Sequence, residues 1–591
     1  MSNGRPTADA PAGARPRTKR PVPNEEGLRS LGEQMQESVA PAASAPPASA
    51  EAKSASQKAS QRSGGRHLRT RSPGRRKMRR GAKALVVTMV VVVVLLGAAA
   101  GYLGYLNSLV HRVRVFGLSA DATSGALVGT QNILLVGSTS RCALKEQSIA
   151  YGLCSEGVTG VNSDIVMVLH LDSNDQKVSI LSIPRDLFVP NARTSGPNKI
   201  DAALADGPTQ LVAAVEDDFG IPIQHYVELN FDSFAAVVDA LGGVNMYFPE
   251  PVFDDFSGLY VTSPGCIHLD GVRALQVVRA RHLQYQPPGV TTTDRYYWPQ
   301  EAQSDLARIR RTHEFLRVLA SAVAKQGLGN PLTDRQLIAG VAPNLTVDSG
   351  FSTSDMVNMV LGFHSVDIGT APQLTVPVLE AASSDYYFQG YNYGSIEFPS
   401  QPQDQQAIDQ VLGVNAGTDT MTGKPLPKPG AITVSVLNGT GLPNQAADTA
   451  SALEALGFST IGVGDSASVG PESETVVDYS SSSDEAAAER VARSLSGAVI
   501  LDRGPTTDGA QVTVTTGTDF SVNAPAGGSG SSAAGAGSTS SSSVASPSSS
   551  AYSDASVSAS TSDAFSAPTP ATVGLQPWDP RSCTASGGEG P

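Results

Sequence analysis

The stretch ALVVTMVVVVVLLGAAAGYLGYL, Ala84 to Leu106, runs for 23 residues without a charge. At a helical rise of about 1.5 Å per residue it matches the roughly 30 Å hydrocarbon core of a bilayer. It is longer than the apolar region of about 7–15 residues in a cleaved signal peptide, so it reads as one transmembrane helix. The preceding segment RRKMRRGAK, Arg75–Lys83, is strongly basic. Lys and Arg are retained on the cytoplasmic side. Residues 1–83 are therefore expected in the cytoplasm and everything after about Asn107 outside it.

The net charge of -13 conceals an asymmetry, because residues 1–83 carry 18 Lys and Arg against 6 Asp and Glu. The exported part is correspondingly acidic, which excludes general nucleic-acid binding, since that relies on a basic surface. The basic tail is rich in Ala, Pro, Ser and Arg without hydrophobic periodicity and is expected to be disordered, its last residues drawn to anionic lipid. The four cysteines, Cys142, Cys154, Cys266 and Cys583, all fall in the exported part. A local Cys142–Cys154 bridge is the preferred pairing, and that of Cys266 with Cys583 stays open.

After a juxtamembrane connector, 107–130, the texture changes. NILLVG (Asn132–Gly137), DIVMVLHL (Asp164–Leu171) and KVSILSI (Lys177–Ile183) are apolar strand patterns. PTQLVAAVEDDFG (Pro208–Gly220), DSFAAVVDALGG (Asp232–Gly243, with Asp232 as its cap) and the segment Ser304–Gly327 are amphipathic helices. Strands alternating with helices give an α/β fold, a central mixed sheet flanked by helices, over 131–413. The Gly- and Pro-rich stretch 414–430 reads as a linker, 431–520 as a second small α/β domain, and 521–591 as a disordered Ser, Ala and Gly-rich tail.

The chemistry gathers at ILSIPRDLFVP, Ile180–Pro190. Pro184 lacks a backbone donor and favours a strand end, so Arg185 and Asp186 stand where ligands of open α/β sheets collect. VVRARHL puts Arg279 and Arg281 two apart, on one face if it is a strand, and Arg308 and Arg311 are three apart on a helix. With Lys199 from NKIDAA they suggest an anion pocket, since guanidinium forks suit phosphate oxygens. Asp164 and Asp186 add the carboxylates that help hold Mg²⁺ or take a proton from an attacking hydroxyl.

Taken in order, NILLVGSTSR, NSDIVMVLHL, SILSIPRDLFV, NKIDAAL, HYVELNFDSFAAVVDALGGV, LDGVRALQVVRARH and DLARIRR resemble the successive blocks of the LytR-CpsA-Psr family. VSVLNGTG through GTDF resembles the C-terminal domain that accompanies it in actinobacteria. The resemblance implies an extracytoplasmic phosphotransferase that moves a glycan, with arabinogalactan the natural choice, from a polyprenyl-pyrophosphate carrier to peptidoglycan at the cell membrane. It implies that Arg185, Arg279, Arg281 and Arg308 grip the pyrophosphate, joined by the neighbouring Arg311 and Lys199. Asp164 would serve a Mg²⁺ (or Mn²⁺) ion or its surroundings, while Asp186 orients Arg185 or acts as the base. Relatives carry Asp where GSTSR has Thr139, so Thr139 would offer the metal a neutral oxygen only. The aromatic insertion Gln284–Gln303 is either a lid or acceptor surface, or a surface loop. A lipid-diphosphate pyrophosphatase and a non-catalytic membrane-tethered binder or sensor of wall polymer are the alternative functions.

Overall fold

The computed structural model describes residues 104, 105, 108, 110–139, 160–325 except 293 and 303, 341–363, 366, 371–380, 385–467, 474–523, 568–572, 574–584 and 588. The apolar run 84–106 lies outside the described residues apart from Gly104 and Tyr105, and so do Cys142 and Cys154. Among the described residues no helix is long and apolar enough to cross a membrane.

The central sheet has seven strands: β1 (His111–Val113), β2 (Thr130–Ser138), β3 (Ser163–Asp172), β4 (Lys177–Ile183), β5 (His225–Asn230), β6 (Thr346–Asp348) and β7 (Gln373–Thr375). Their order is β1-β6-β5-β2-β3-β4-β7. β2, β3 and β4 pair antiparallel, whereas β5 runs parallel to β2 and β7 parallel to β4, so the sheet is mixed. The near-continuous apolar runs of β2 to β4 reflect burial on both faces. On one face Leu134, Val136, Val166, Val168 and Leu181 pack under α1 (Pro208–Phe219). Gly220 closes α1 in the left-handed conformation that glycine adopts without a Cβ clash. On the other face lie α2 (Phe231–Ala240), α3 (Gly271–Arg279) and α4 (Ser304–Lys325), packed round Phe231, Val238, Leu275, Val278 and Phe315. α2 is capped by Asn230, whose side chain accepts from the Ser233 amide at 2.9 Å, and not by Asp232. Asp232 sits inside the first turn, where its charge complements the helix dipole.

The second α/β region carries α7 (Gln445–Ala455) and α8 (Glu485–Ala492), after α5 (Thr353–Gly362) and α6 (Gln403–Leu412) of the first. Its sheet comprises β8 (Val378–Glu380), β9 (Glu397–Gln401), β10 (Thr433–Asn438), β11 (Ser459–Asp465), β12 (Thr475–Tyr479), β13 (Leu495–Asp502), β14 (Val512–Thr516) and β15 (Phe520–Val522). The order is β8-β9-β13-β12-β14-β10-β11, with β15 on β13. Strands β8 and β9 come from the first region, and β9 pairs with β13 at Ser400 and Gln401, so one sheet runs across both.

Three spans differ from expectation for one reason: composition does not report contacts made by distant residues. The connector 107–130 is part of the fold, since β1 pairs with β6 and Leu127 is buried in the first core. The linker 414–430 is a folded turn, in which the Leu426 amide donates to Gly417 and the Gly423 carbonyl accepts from Ala126 at 2.8 Å. In the span 521–591, residues 521–522 continue β15, and described residues from 568 onward pack on the first region. Arg581–Ser582 adds a strand beside Met246 and Tyr247, Cys583 is disulfide-bonded to Cys266, and Trp578 stacks on Tyr285 at 3.9 Å.

Candidate active site

Chain direction at the end of β4 is set by three backbone clamps. The Leu187 amide donates to the Pro184 carbonyl, the Asp201 amide to Arg185, and the Glu397 amide to Asp186. Arg185 and Asp186 are thereby fixed at the sheet's edge with their side chains about four-fifths buried. The Arg185 guanidinium contacts Asp164, at the edge of β3, through Nη1 and lies 3.4 Å from Asp186 and 3.6 Å from Asp201. Asp186 in turn meets Lys199 at 2.9 Å and Arg281 at 3.2 Å. Arg281 also approaches Asp305 at 3.2 Å, and Asp305 holds Arg308 at 3.1 Å. Four segments of the chain thus deliver Arg185, Lys199, Arg281 and Arg308 to one row, linked by Asp186 and Asp305.

Burial and charge compete at each group. Burial works against the Arg185 cation, but Asp164, Asp186, Asp201 and Asp305 outweigh it and hold the guanidinium charged. Asp186 is likewise buried, yet Arg185, Lys199 and Arg281 keep its carboxyl below the usual range. Asp201 goes the other way: burial, only partly opposed by Arg185, pushes it up to about 6. Glu397 is pushed well up by burial and then by Asp305 and Asp186. A carboxylate touching three cations is a weak base, so Asp186 is built to orient Arg185, Lys199 and Arg281. Of the two roles expected for Asp186, geometry favours this one.

The other expected residues fall elsewhere. Arg279 and Arg281 do not share a strand. Arg279 ends α3, where its guanidinium lies 4.5 Å over the Phe231 ring, and Arg281 follows the helix. A cavity of about 140 Å³ opens beneath α2, lined by Leu135, Met167, Phe231, Val238, Phe315 and Leu319, and Arg279, Arg308 and Asp164 also border it. Helix α1 contributes nothing to this cavity, because its apolar face is spent on the opposite side of the sheet.

Arg311 does not join the row. It is fully buried, donating to Glu301 at 2.5 Å and to the Ala280 carbonyl, with Asp579 at 3.6 Å. Arg308 and Arg311 share a helix surface by sequence, but the insertion and the chain's last segment supply partners that turn Arg311 into a structural cation. The insertion is packed: Trp298 is 7% exposed, and Arg295 lies over Phe253 at 3.9 Å and Tyr260 at 5.1 Å. Asp201, Asp305 and Glu397 were not among the residues singled out. The first two stand in the blocks NKIDAAL and DLARIRR and were detectable there; Glu397 carries no local signal.

Thr139 and Asp164 follow the paired residues Ser138 and Ser163 at one end of β2 and β3. The Thr139 hydroxyl donates to the Asn162 carbonyl at 3.1 Å and so offers a neutral oxygen, while the Asp164 carboxylate pairs with Arg185. Among the described residues no group of three or more His, Cys, Asp or Glu has metal-holding geometry. That donor set is no closed cage, but it fits Mg²⁺, which takes one or two carboxylates and completes its shell with water and substrate phosphates.

Residues 118–401 match the LytR_cpsA_psr family, and residues 431–520 match the LytR cell envelope-related transcriptional attenuator domain. The chain belongs to the LytR-CpsA-Psr family. It is 33% identical over 300 residues to the probable cell wall biosynthesis protein LcpB of Corynebacterium glutamicum, covering 49% of this chain and 66% of that one. To the cell wall biosynthesis protein LcpA of the same organism it is 25% identical over 472 residues, covering 73% and 86%. The polyisoprenyl-teichoic acid–peptidoglycan teichoic acid transferase TagU of Bacillus anthracis is 29% identical over 194 residues, 32% of this chain and 57% of that protein. Among solved structures, a LytR-Csp2A-Psr enzyme from Actinomyces oris aligns with 23% identity and a TM-score of 0.38 over 52% of this chain and 97% of that one.

Proposed function

We infer that this protein is an extracytoplasmic phosphotransferase that moves a glycopolymer from a polyprenyl-diphosphate carrier to peptidoglycan, forming a phosphodiester. The observation that carries the reading is the row Arg185, Lys199, Arg281 and Arg308 set beside an apolar cavity bordered by Arg279, Arg308 and Asp164. A lipid diphosphate needs both halves of that arrangement: guanidinium forks for the phosphate oxygens and an apolar wall for the first isoprene units.

In the reaction a hydroxyl of the acceptor sugar attacks the phosphorus that carries the glycan. The bond from that phosphorus to the bridging oxygen breaks, and polyprenyl phosphate leaves. The demand of such a step is to neutralise spreading negative charge, which the guanidinium row does from fixed positions. Arg185 and Arg281, held by Asp186, face the transferred phosphoryl, and Arg279 and Arg308 take the phosphate at the lipid end. Asp201, the carboxylate with the raised affinity for protons, takes the hydroxyl proton. Mg²⁺ or Mn²⁺, held by Asp164 with Thr139, would when bound neutralise diphosphate oxygens. The run 84–106 anchors the chain in the cell membrane with 1–83 in the cytoplasm, so the site faces the wall. Arabinogalactan is the proposed glycan, on family resemblance rather than on any residue.

The test supplies full-length protein in detergent with a short-chain polyprenyl-diphosphate glycan and soluble peptidoglycan strands. Glycan joined to the strand is the expected product. Phosphate release with no transfer would make the protein a pyrophosphatase, and donor binding without turnover would make it a sensor.

A further inference from the structure

We propose that Phe256, His282 and Gln300 form a carbohydrate-stacking subsite for the acceptor strand, one residue beyond the guanidinium row. The inference deepens the phosphotransferase reading and rests on it. Phe256 is 75% exposed, and its ring lies 4.5 Å from that of His282. A single exposed apolar side chain is ordinary; what sets this one apart is how it is held.

Asp254, 1% exposed, ties the two elements together. Its Oδ1 accepts from the Phe256 amide at 2.8 Å and the Ser257 amide at 3.0 Å. Its Oδ2 accepts from the Arg281 amide at 2.8 Å and the His282 amide at 2.9 Å. One buried carboxylate therefore fixes the backbone of a phosphate-row arginine and of an exposed aromatic ring at the same time. Gln300 Nε2 lies 3.2 Å from His282 Nδ1; an amide nitrogen only donates, so this pairing leaves the ring's Nε2 to meet a ligand hydroxyl. An aromatic face beside an imidazole and an amide suits a pyranose: the C–H face of the sugar meets the negative face of the ring, and the polar groups meet its hydroxyl or N-acetyl substituents.

The direction of the reaction selects the acceptor over the donor's own sugar. The lipid end lies at the apolar cavity, bordered by Arg308 and Arg279, and Arg281 stands across Asp305 from Arg308. In phosphoryl transfer the entering and leaving oxygens lie roughly in line. With polyprenyl phosphate leaving toward the cavity, the attacking hydroxyl enters from the side away from it, and Arg281, His282 and Phe256 all lie outside the cavity's lining.

The test uses the full-length chain in detergent and a tetrasaccharide of alternating N-acetylglucosamine and N-acetylmuramic acid. Binding is measured by calorimetry without donor, and KM for acceptor and for donor is measured separately in the transfer assay. Phe256→Ala is expected to weaken tetrasaccharide binding and raise acceptor KM about five- to tenfold, and Phe256→Trp to restore both. Donor KM should not follow. Unchanged binding, absence of binding in the parent protein, or a rise confined to donor KM would each overturn the subsite. Tetrasaccharide binding that depends on Phe256 in a protein that transfers nothing would instead defeat the phosphotransferase reading and leave the subsite standing.

Discussion

Two clusters of buried carboxylates in this molecule have opposite electrostatics. At the end of β4, Asp164, Asp186 and Asp305 each contact at least one arginine. At the seam between α1 and β13, carboxylates face one another. Asn191 Nδ2 donates to Asp218 and to Asp502, both at 3.0 Å, and Asp478 lies across from Asp502 on paired strands. Arg503, about half exposed, pairs with the neighbouring Asp217 at 3.5 Å. Burial, then Asp502, pushes Asp478 up to about 8, and burial pushes Asp218 well up. The first cluster keeps charges in place for a charged ligand. The second lies where two regions meet, and burial raises the proton affinity of its carboxyls.

The largest expected effect tests the first cluster. Arg185→Ala should lower transfer about 10³-fold or more, the scale of losing an arginine that neutralises a transferring phosphoryl group, read as glycan joined to peptidoglycan. A loss under tenfold would break the contrast. The thermal midpoint should fall as well, since Asp164, Asp186 and Asp201 lose a shared partner.

Arg311→Ala is the counterpart among structural cations. Removing it takes the 2.5 Å partner from buried Glu301, leaving only Arg310 at 3.8 Å, and should cost about 3–5 kcal/mol in urea unfolding. A variant as stable as the parent but slow in transfer would return Arg311 to the phosphate row.

The seam predicts a pH dependence of definite sign. Asp478 releases its proton near 3.8 when unfolded and near 8 when folded. Its stabilising contribution is therefore complete below about pH 4 and is lost as pH rises through 8. Going from pH 5 to pH 8 should cost roughly 1–2 kcal/mol, after allowance for proton sharing with Asp502. Asp502→Asn should flatten that slope in thermal melts. Asp186 has the reverse sign: held below 3.8, its contribution is present at neutral pH and is lost in acid. A seam that weakened in acid instead would erase the distinction.

The smallest effect concerns Thr139→Asp, which should lower the Mg²⁺ concentration for half-maximal transfer several-fold by adding a charged oxygen beside Asp164. An unchanged titration would put Thr139 outside the metal's reach.

Much of the fold was legible because its signals are local. The alternation Leu134, Val136 against Ile133, Leu135 assigns two buried faces within one strand, and Pro208 and Gly220 bracket α1. Arg185 and Asp186 were legible because Pro184 ends an apolar run. Arg279 and Arg281 were misplaced because a two-residue spacing assumes a strand, while the Asp270 side chain caps a helix by accepting from the Arg273 amide.

The sequence by itself determined the strands and helices, the position of the cations beside them and the apolar run that divides the chain, since each depends on residues a few positions apart. Only the tertiary structure decided which cations serve a ligand and which serve the fold. Arg310 meets Asp579 at a separation of 269 positions, and Arg311 reaches the same carboxylate. Whether a buried guanidinium is spent on the protein or left for a phosphate depends on which carboxylate reaches it first, and no local pattern carries that information.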